Sequence, residues 1–170
     1  MLYSIAPISS SAANTDHYCP MPKIISYEYI RGLVDGEGCF TFCQGWRMRD
    51  GRKMIFPTFE ISMHERDQDL IQSVRNTLKL KNRVYNYKSP SYDGIVRGRK
   101  AILIVRDFPQ LKDIIIPLFY KKLHGYKGFQ FMNWMERIGY DQGIDDRFRS
   151  LYRLYKWGIF DKPEFMDRFR

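Results

Sequence analysis

Three residue classes are scarce in this 170-residue chain, and each scarcity narrows what it can be. There are three cysteines, Cys19, Cys39 and Cys43. That is too few and too unevenly spaced for a disulfide framework or a zinc site, so they read as free thiols of a reducing compartment. Long apolar runs are missing: AILIV at 101–105 has the length of a strand, and IIIPLF at 114–119 is broken by Pro117. Neither approaches the roughly 20 residues that span a bilayer, so no membrane partner is expected. The first twenty residues contain no Lys or Arg, which argues against secretory and organellar targeting peptides. They include SSSAANTD, and residues 1–23 are expected to form a flexible arm outside a single domain at 24–170.

Acidic residues are also outnumbered. Lys and Arg total 28 against 19 Asp and Glu, a formal net charge of +9 with a pI near 9.5. Such a balance in a chain that is 44% hydrophobic points to a folded domain meeting a polyanion. Arginines beside aromatics favour nucleic acid over a membrane surface, because guanidinium forks onto phosphate and stacks on rings. No small-molecule substrate is suggested.

The pattern alternates helices with hairpins. Ser26 is a candidate N-cap for a helix over Tyr27–Glu37, with Gly38 ending it in a left-handed turn. CFTFCQGWRMR then alternates with period two, pointing Phe40, Phe42, Trp46 and Met48 inward and Thr41, Cys43, Arg47 and Arg49 outward. Asp50-Gly51 signals the hairpin turn. On the return strand, Ile55, Phe59, Ile61 and Met63 face in, while Thr58, Glu60 and Ser62 face out. Pro57 there implies an edge position or a bulge. A helix over about 67–80 carries Leu70, Ile71, Val74 and Leu78 on one stripe, and a second strand pair follows. Helices are expected over 107–119, over 128–138, and in RFRSLYRLYKWGIF. The sum is an α+β fold, α-β-β-α-β-β-α with further C-terminal helices, whose antiparallel sheet has one polar, basic face.

IRGLVDGEG at 30–38 breaks a local rule. Asp35 and Glu37 lie in the last turn of their helix, where acids oppose the macrodipole at about 0.3–1 kcal/mol each. Gly32 and Gly36 share a helix face at the spacing that lets two helix backbones touch, although packing on the chain's own sheet would account for that spacing too. If two copies met there, their acids would repel by about 3 kcal/mol at ~5 Å and an effective dielectric near 20. A shared divalent cation reverses the sign of that interaction.

The same nine residues resemble the LAGLIDADG motif of homing endonucleases, with Glu37 where the motif ends in Asp. FEISMHERDQDLI at 59–71 resembles the family's passage from second strand to second helix, and IPLFYKK at 116–122 its segment ending in a basic residue. The resemblance implies a saddle-shaped sheet and a site-specific double-stranded DNA endonuclease that uses Mg²⁺ or Mn²⁺ and promotes intron mobility. A non-cleaving splicing maturase or DNA-binding regulator on the same fold is the alternative. By carry-over, Glu37 is catalytic and binds metal, the Gly38 carbonyl adds a ligand, and Lys122 stabilises phosphate charge. Asp35 is read as structural. Met63 stands where the family often has a water-positioning Gln, so that role passes to His64 or Glu65 or is vacant.

One motif copy supplies half of a two-carboxylate site. The expectation is therefore a homodimer through Ile30, Gly32, Leu33, Asp35 and Gly36 on a nearly palindromic target. The DNA contacts expected from the outward face are Thr41, Cys43, Arg47, Arg49, Thr58, Glu60, Ser62, Arg83, Tyr85, Tyr87, Arg97, Arg99 and Lys100. An intracellular setting is expected, either bacterial cytoplasm or an organelle.

Overall fold

The computed structural model describes residues 24–88 and 98–170; the expected N-terminal arm and Arg97 lie outside them. Among these residues the order is α1 (Tyr27–Glu37), β1 (Gly38–Trp46), β2 (Lys53–His64), α2 (Gln68–Thr77), β3 (Val84–Lys88) and β4 (Arg99–Val105), followed by helices to the C-terminus. The strands form one antiparallel sheet ordered β1-β2-β4-β3.

Helix α1 starts as its sequence dictates, with the Ser26 hydroxyl accepting from the Tyr29 amide at 3.1 Å. Its end differs from expectation. Gly38 has φ −78° and ψ 155°, extended rather than left-handed, so the chain runs directly from helix into strand. Glycine is required there for space: a Cβ would lie 2.5 Å from Val34 Cγ1 and 2.8 Å from the Val34 carbonyl oxygen. Val34 cannot give way, because it and Ile30 are wholly buried against the sheet.

Register settles the faces. Phe40 opposes Phe59 and Gly38 opposes Ile61, and Ile61 opposes Leu103, so the covered face is continuous across three strands. Cys39 opposes Glu60, Thr41 opposes Thr58, and Ser62 opposes Ile102, which assigns the other face. The pairing steps evenly along each ladder with no bulge to invert either set. Pro57 sits in an interior strand, but β4 pairs with β2 only from Phe59 onward. Ile55, two residues away, turns its N–H from β1 to bond the Gly143 carbonyl at 2.8 Å. Pro57 therefore directs its missing N–H toward the stretch that β4 does not reach, and the ladder loses nothing.

Two inward expectations fail at the hairpin tip. Trp46 is 70% and Met48 98% exposed, because the strand ends at Trp46 and the tip runs beyond the buried core. The turn is longer than two residues: Gly51, at φ +65°, donates to the Arg47 carbonyl, and Arg47 donates to the Arg52 carbonyl.

Helix α2 buries Leu70, Ile71 and Val74, and Leu78 just after it, as its stripe predicts. Asp107 caps α3 (Phe108–Gln110), accepting from the Gln110 amide. A π turn (Leu111–Ile115) leads into α4 (Ile116–Phe119), where Pro117 lacks the N–H that a regular helix needs. Helix α5 (Gly125–Tyr140) begins three residues earlier than expected, and α6 (Asp146–Lys156) and the short α7 (Pro163–Met166) follow. Phe40 collects the helical layer, with ring contacts to Phe119, Phe131 and Trp134 at 5.1–5.7 Å. Burying each such ring contributes on the order of 2–3 kcal/mol. No helix among the described residues is long and apolar enough to cross a membrane.

Candidate active site and nucleic-acid interface

The acid-bearing end of α1 is fastened to the start of α5 by polar contacts. The Asp35 carboxylate accepts from the His124 amide at 3.1 and 3.3 Å, at the residue that caps α5. Three residues on, the Lys127 ammonium donates to the Gly38 carbonyl at 2.6 Å. Trp134 Nε1 donates to the Thr41 carbonyl at 2.8 Å. Lys127, Phe131 and Trp134 recur at i, i+4 and i+7, so one stripe of α5 grips the α1–β1 junction throughout. Asp35 is thereby tied to α5 within its own chain. Glu37 is exposed.

The lysines divide unexpectedly. Lys121, at φ 56°, pairs with Asp161 at 2.7 Å, and that bond raises its pKa while holding the Asp161 carboxyl below the usual range. Lys122, the lysine carried over from the resemblance of the 116–122 segment, is half-buried on the same segment. Lys127 is the cation in contact with the residue that follows Glu37, and sequence reasoning missed it. Placing the start of α5 at 128 left Lys127 outside the helix. A start at Gly125 sets it on the stripe of Phe131 and Trp134, which was the available signal.

The α1 faces also sort themselves. Ile30 is 0% exposed and belongs to the core, so it cannot serve the interface for which it was expected. It lies about 200° around the helix from Gly32. Leu33 packs in part against the core. Gly32 and Gly36 are exposed, and a Cβ at either would meet nothing within 4 Å. Nothing among the described residues of one copy calls for glycine at these positions. Tyr29, 49% exposed at i−3 from Gly32 and i−7 from Gly36, shares their face.

A divalent ion needs more donors than the described residues of one chain gather. Among the described residues no three His, Cys, Asp or Glu gather into a cluster that could hold one. Glu37 offers one exposed carboxylate, and one lone pair of the Gly38 carbonyl is already engaged by Lys127. The Glu37 carboxylate and the free lone pair of the Gly38 carbonyl are oxygen donors of the kind that suit a hard divalent cation.

Of the expected DNA contacts, Cys43, Glu60, Ser62, Tyr85, Tyr87 and Lys100 lie on the uncovered sheet face, with Thr41 beside them. Arg83, just before β3, is exposed and continues the parity of Tyr85 and Tyr87. Thr58 has that parity too but is 2% exposed, its hydroxyl donating to the Phe56 carbonyl and lying 3.2 Å from Cys43 Sγ, so it presents no free group. Arg99 opposes Lys88 and takes the other parity from Lys100, being exposed only because it starts its strand. Arg47 locks the turn through Asp50, whose carboxyl it holds near about 2, and Arg49 sits in that turn beyond β1. Arg97 is outside the described residues. His64 accepts from the Arg66 amide through Nδ1, so it caps the turn before α2, which accounts for its place beside Met63.

With this geometry in place, the family follows. The profile of the LAGLIDADG endonuclease family matches residues 30–138. That is 109 of 170 residues, from the buried Ile30 to the end of the α5 stripe. This chain belongs to the LAGLIDADG endonuclease family. Among solved structures, the homing endonuclease I-TnaI is similar at 21% identity and TM-score 0.52, over 86% of this chain and 84% of that one. I-LtrWI bound to target DNA is similar at 22% identity and TM-score 0.50, over 73% of this chain and 47% of that one. The group I intron-encoded homing endonuclease I-CeuI, complexed with DNA, is similar at 13% and 0.51, over 85% and 65%. These likenesses establish a shared fold. No curated protein matches. The LAGLIDADG chain thus spans most of I-TnaI but about half of I-LtrWI.

Proposed function

We propose that two copies of this LAGLIDADG endonuclease join through α1 and cut both strands of a long, nearly palindromic DNA site, promoting the mobility of the intron that encodes it. The observation that carries this reading is the open face of Gly32 and Gly36, empty among the described residues of one copy and ending at an exposed Glu37. Pairing that face with itself would bring two Glu37 carboxylates together and complete a donor set that the described residues of one chain lack. Covering about half of I-LtrWI agrees with one chain being half of a working unit.

Divalent ions held between the two Glu37 side chains would activate a water and neutralise the leaving oxygen. The chain's own residues do the rest. Asp35 fixes the α1 end to α5 through His124, and Lys127, bonded to the Gly38 carbonyl, would oppose charge developing on the scissile phosphate. Lys122 is a second cation on the adjoining segment. The uncovered sheet face, basic at Lys100 and Arg83, lies along the groove, while phosphate contacts set register.

The test is selection of bound and of cleaved duplexes from a random library with Mg²⁺ or Mn²⁺, repeated with chelator. Metal-dependent double-strand cleavage at a two-fold symmetric site supports the reading. Specific DNA or intron-RNA binding without cleavage under any divalent ion contradicts it and favours a maturase or regulator.

A further inference from the structure

The uncovered sheet face has an apolar centre that its charge pattern does not explain. Register places Ile102 opposite Ser62 on one side and Tyr85 on the other, and Ile104 opposite Glu60. Both isoleucines are half-buried rather than covered, and Tyr85 is 56% exposed. Together with Asn82, Tyr87 and Arg106 they line a depression of about 500 Å³. Strand β4 therefore directs Ala101, Leu103 and Val105, all 0% exposed, into the core, and two further aliphatics outward. In a strand meant to face water on that side, alternation calls for polar residues there. Lys100, Arg83 and Arg106 surround the patch, and all three are exposed. A polyanion is thus the complementary occupant, not a second protein surface.

We propose that Ile102 and Ile104, flanked by Tyr85, read thymine through its C5-methyl group in the major groove. This rests on the DNA-binding reading above and names its base chemistry. Thymine presents the one apolar group on the major-groove edges of the four bases, so an aliphatic side chain in a basic setting discriminates for it. Outward side chains two residues apart on a strand are separated by about 6.7 Å, close to two base-pair steps of about 3.4 Å. Where β4 follows the groove, each half-site carries two thymine methyls two steps apart.

The experiment uses the full-length protein and a duplex selected from the random library. Each thymine is replaced singly by deoxyuridine, which removes only the methyl. Loss of about fourfold in affinity is expected at two positions in each half-site, near the transfer value of one methyl group. In Ile102→Ala and Ile104→Ala each dependence should vanish separately at its own position, while sensitivity elsewhere persists. Circular dichroism confirms that both variants fold. Tolerance of deoxyuridine throughout by the wild-type protein overturns the proposal. Discrimination unchanged in both isoleucine variants overturns it equally. Site-specific cutting with no methyl dependence refutes this inference alone, whereas failure to select any duplex refutes the DNA reading with it.

Discussion

The Lys127 ammonium lies 2.6 Å from the Gly38 carbonyl, bridging the first turn of α5 to the residue that follows Glu37. The contact places a cation at the acid end of α1, and on the reading proposed above Lys127 joins Lys122 as a lysine for phosphate chemistry and carries the larger share. Removing one preorganised charge stabiliser typically lowers turnover 10²–10³-fold. Lys127→Met should therefore reduce single-turnover cleavage about a hundredfold with binding affinity within a few-fold of wild type. Lys122→Met should cost less than tenfold. The reverse order in quenched cleavage assays gives Lys122 the larger share.

Two motif glycines, Gly32 and Gly38, predict opposite outcomes. A Cβ at Gly32 meets nothing within its own copy, so Gly32→Leu should fold with native circular dichroism and a cooperative melt. It should sediment as a monomer and lose cleavage, because the added side chain holds the two helices apart. At Gly38 the new Cβ strikes buried Val34, so Gly38→Ala should destabilise the fold by about 1–3 kcal/mol in urea titration. A dimeric, active Gly32→Leu rejects the α1 interface.

Strong acid should loosen the hairpin tip. Arg47 holds the Asp50 carboxyl down to about 2, below its unfolded value of 3.8. A carboxyl depressed in the folded state contributes stability above its unfolded pKa, and that contribution is lost as pH falls from about 4 toward about 2. Both groups lie at the surface, so the effect should be small and weakened by salt. Melting temperature in Asp50→Asn should lose sensitivity to pH within that window. An identical pH profile in variant and wild type contradicts the assignment.

Much of the fold could be read from periodicity. Alternation in β1 and β2 located the core face from Phe40 to Ile61, because period-two burial is set by one covered sheet side. It failed at Trp46 and Met48, since alternation reports direction and cannot report where the core ends. The acids were legible as a local violation of helix electrostatics. Asp35 and Glu37 differ in partners, however, and the His124 contact spans 89 residues that no local pattern relates. Lys127 was hidden by a helix boundary shifted three residues. Ile30 was assigned to the interface from the motif alone, although its spacing to Val34 already put it on the inward stripe. Thr58 shows that parity gives a face and not access.

The central claim is that Glu37 from each of two copies completes a cation-dependent cleavage site. Glu37→Gln removes the charge while keeping size and the neighbouring Asp35–His124 and Lys127–Gly38 contacts. The direct measurement is single-turnover cleavage of the selected duplex by this variant in Mg²⁺ or Mn²⁺, with affinity measured on the same duplex. Retained affinity and two-fold assembly with cleavage lower by at least about a thousandfold is the predicted result. Cleavage by Glu37→Gln at the wild-type rate would contradict the account.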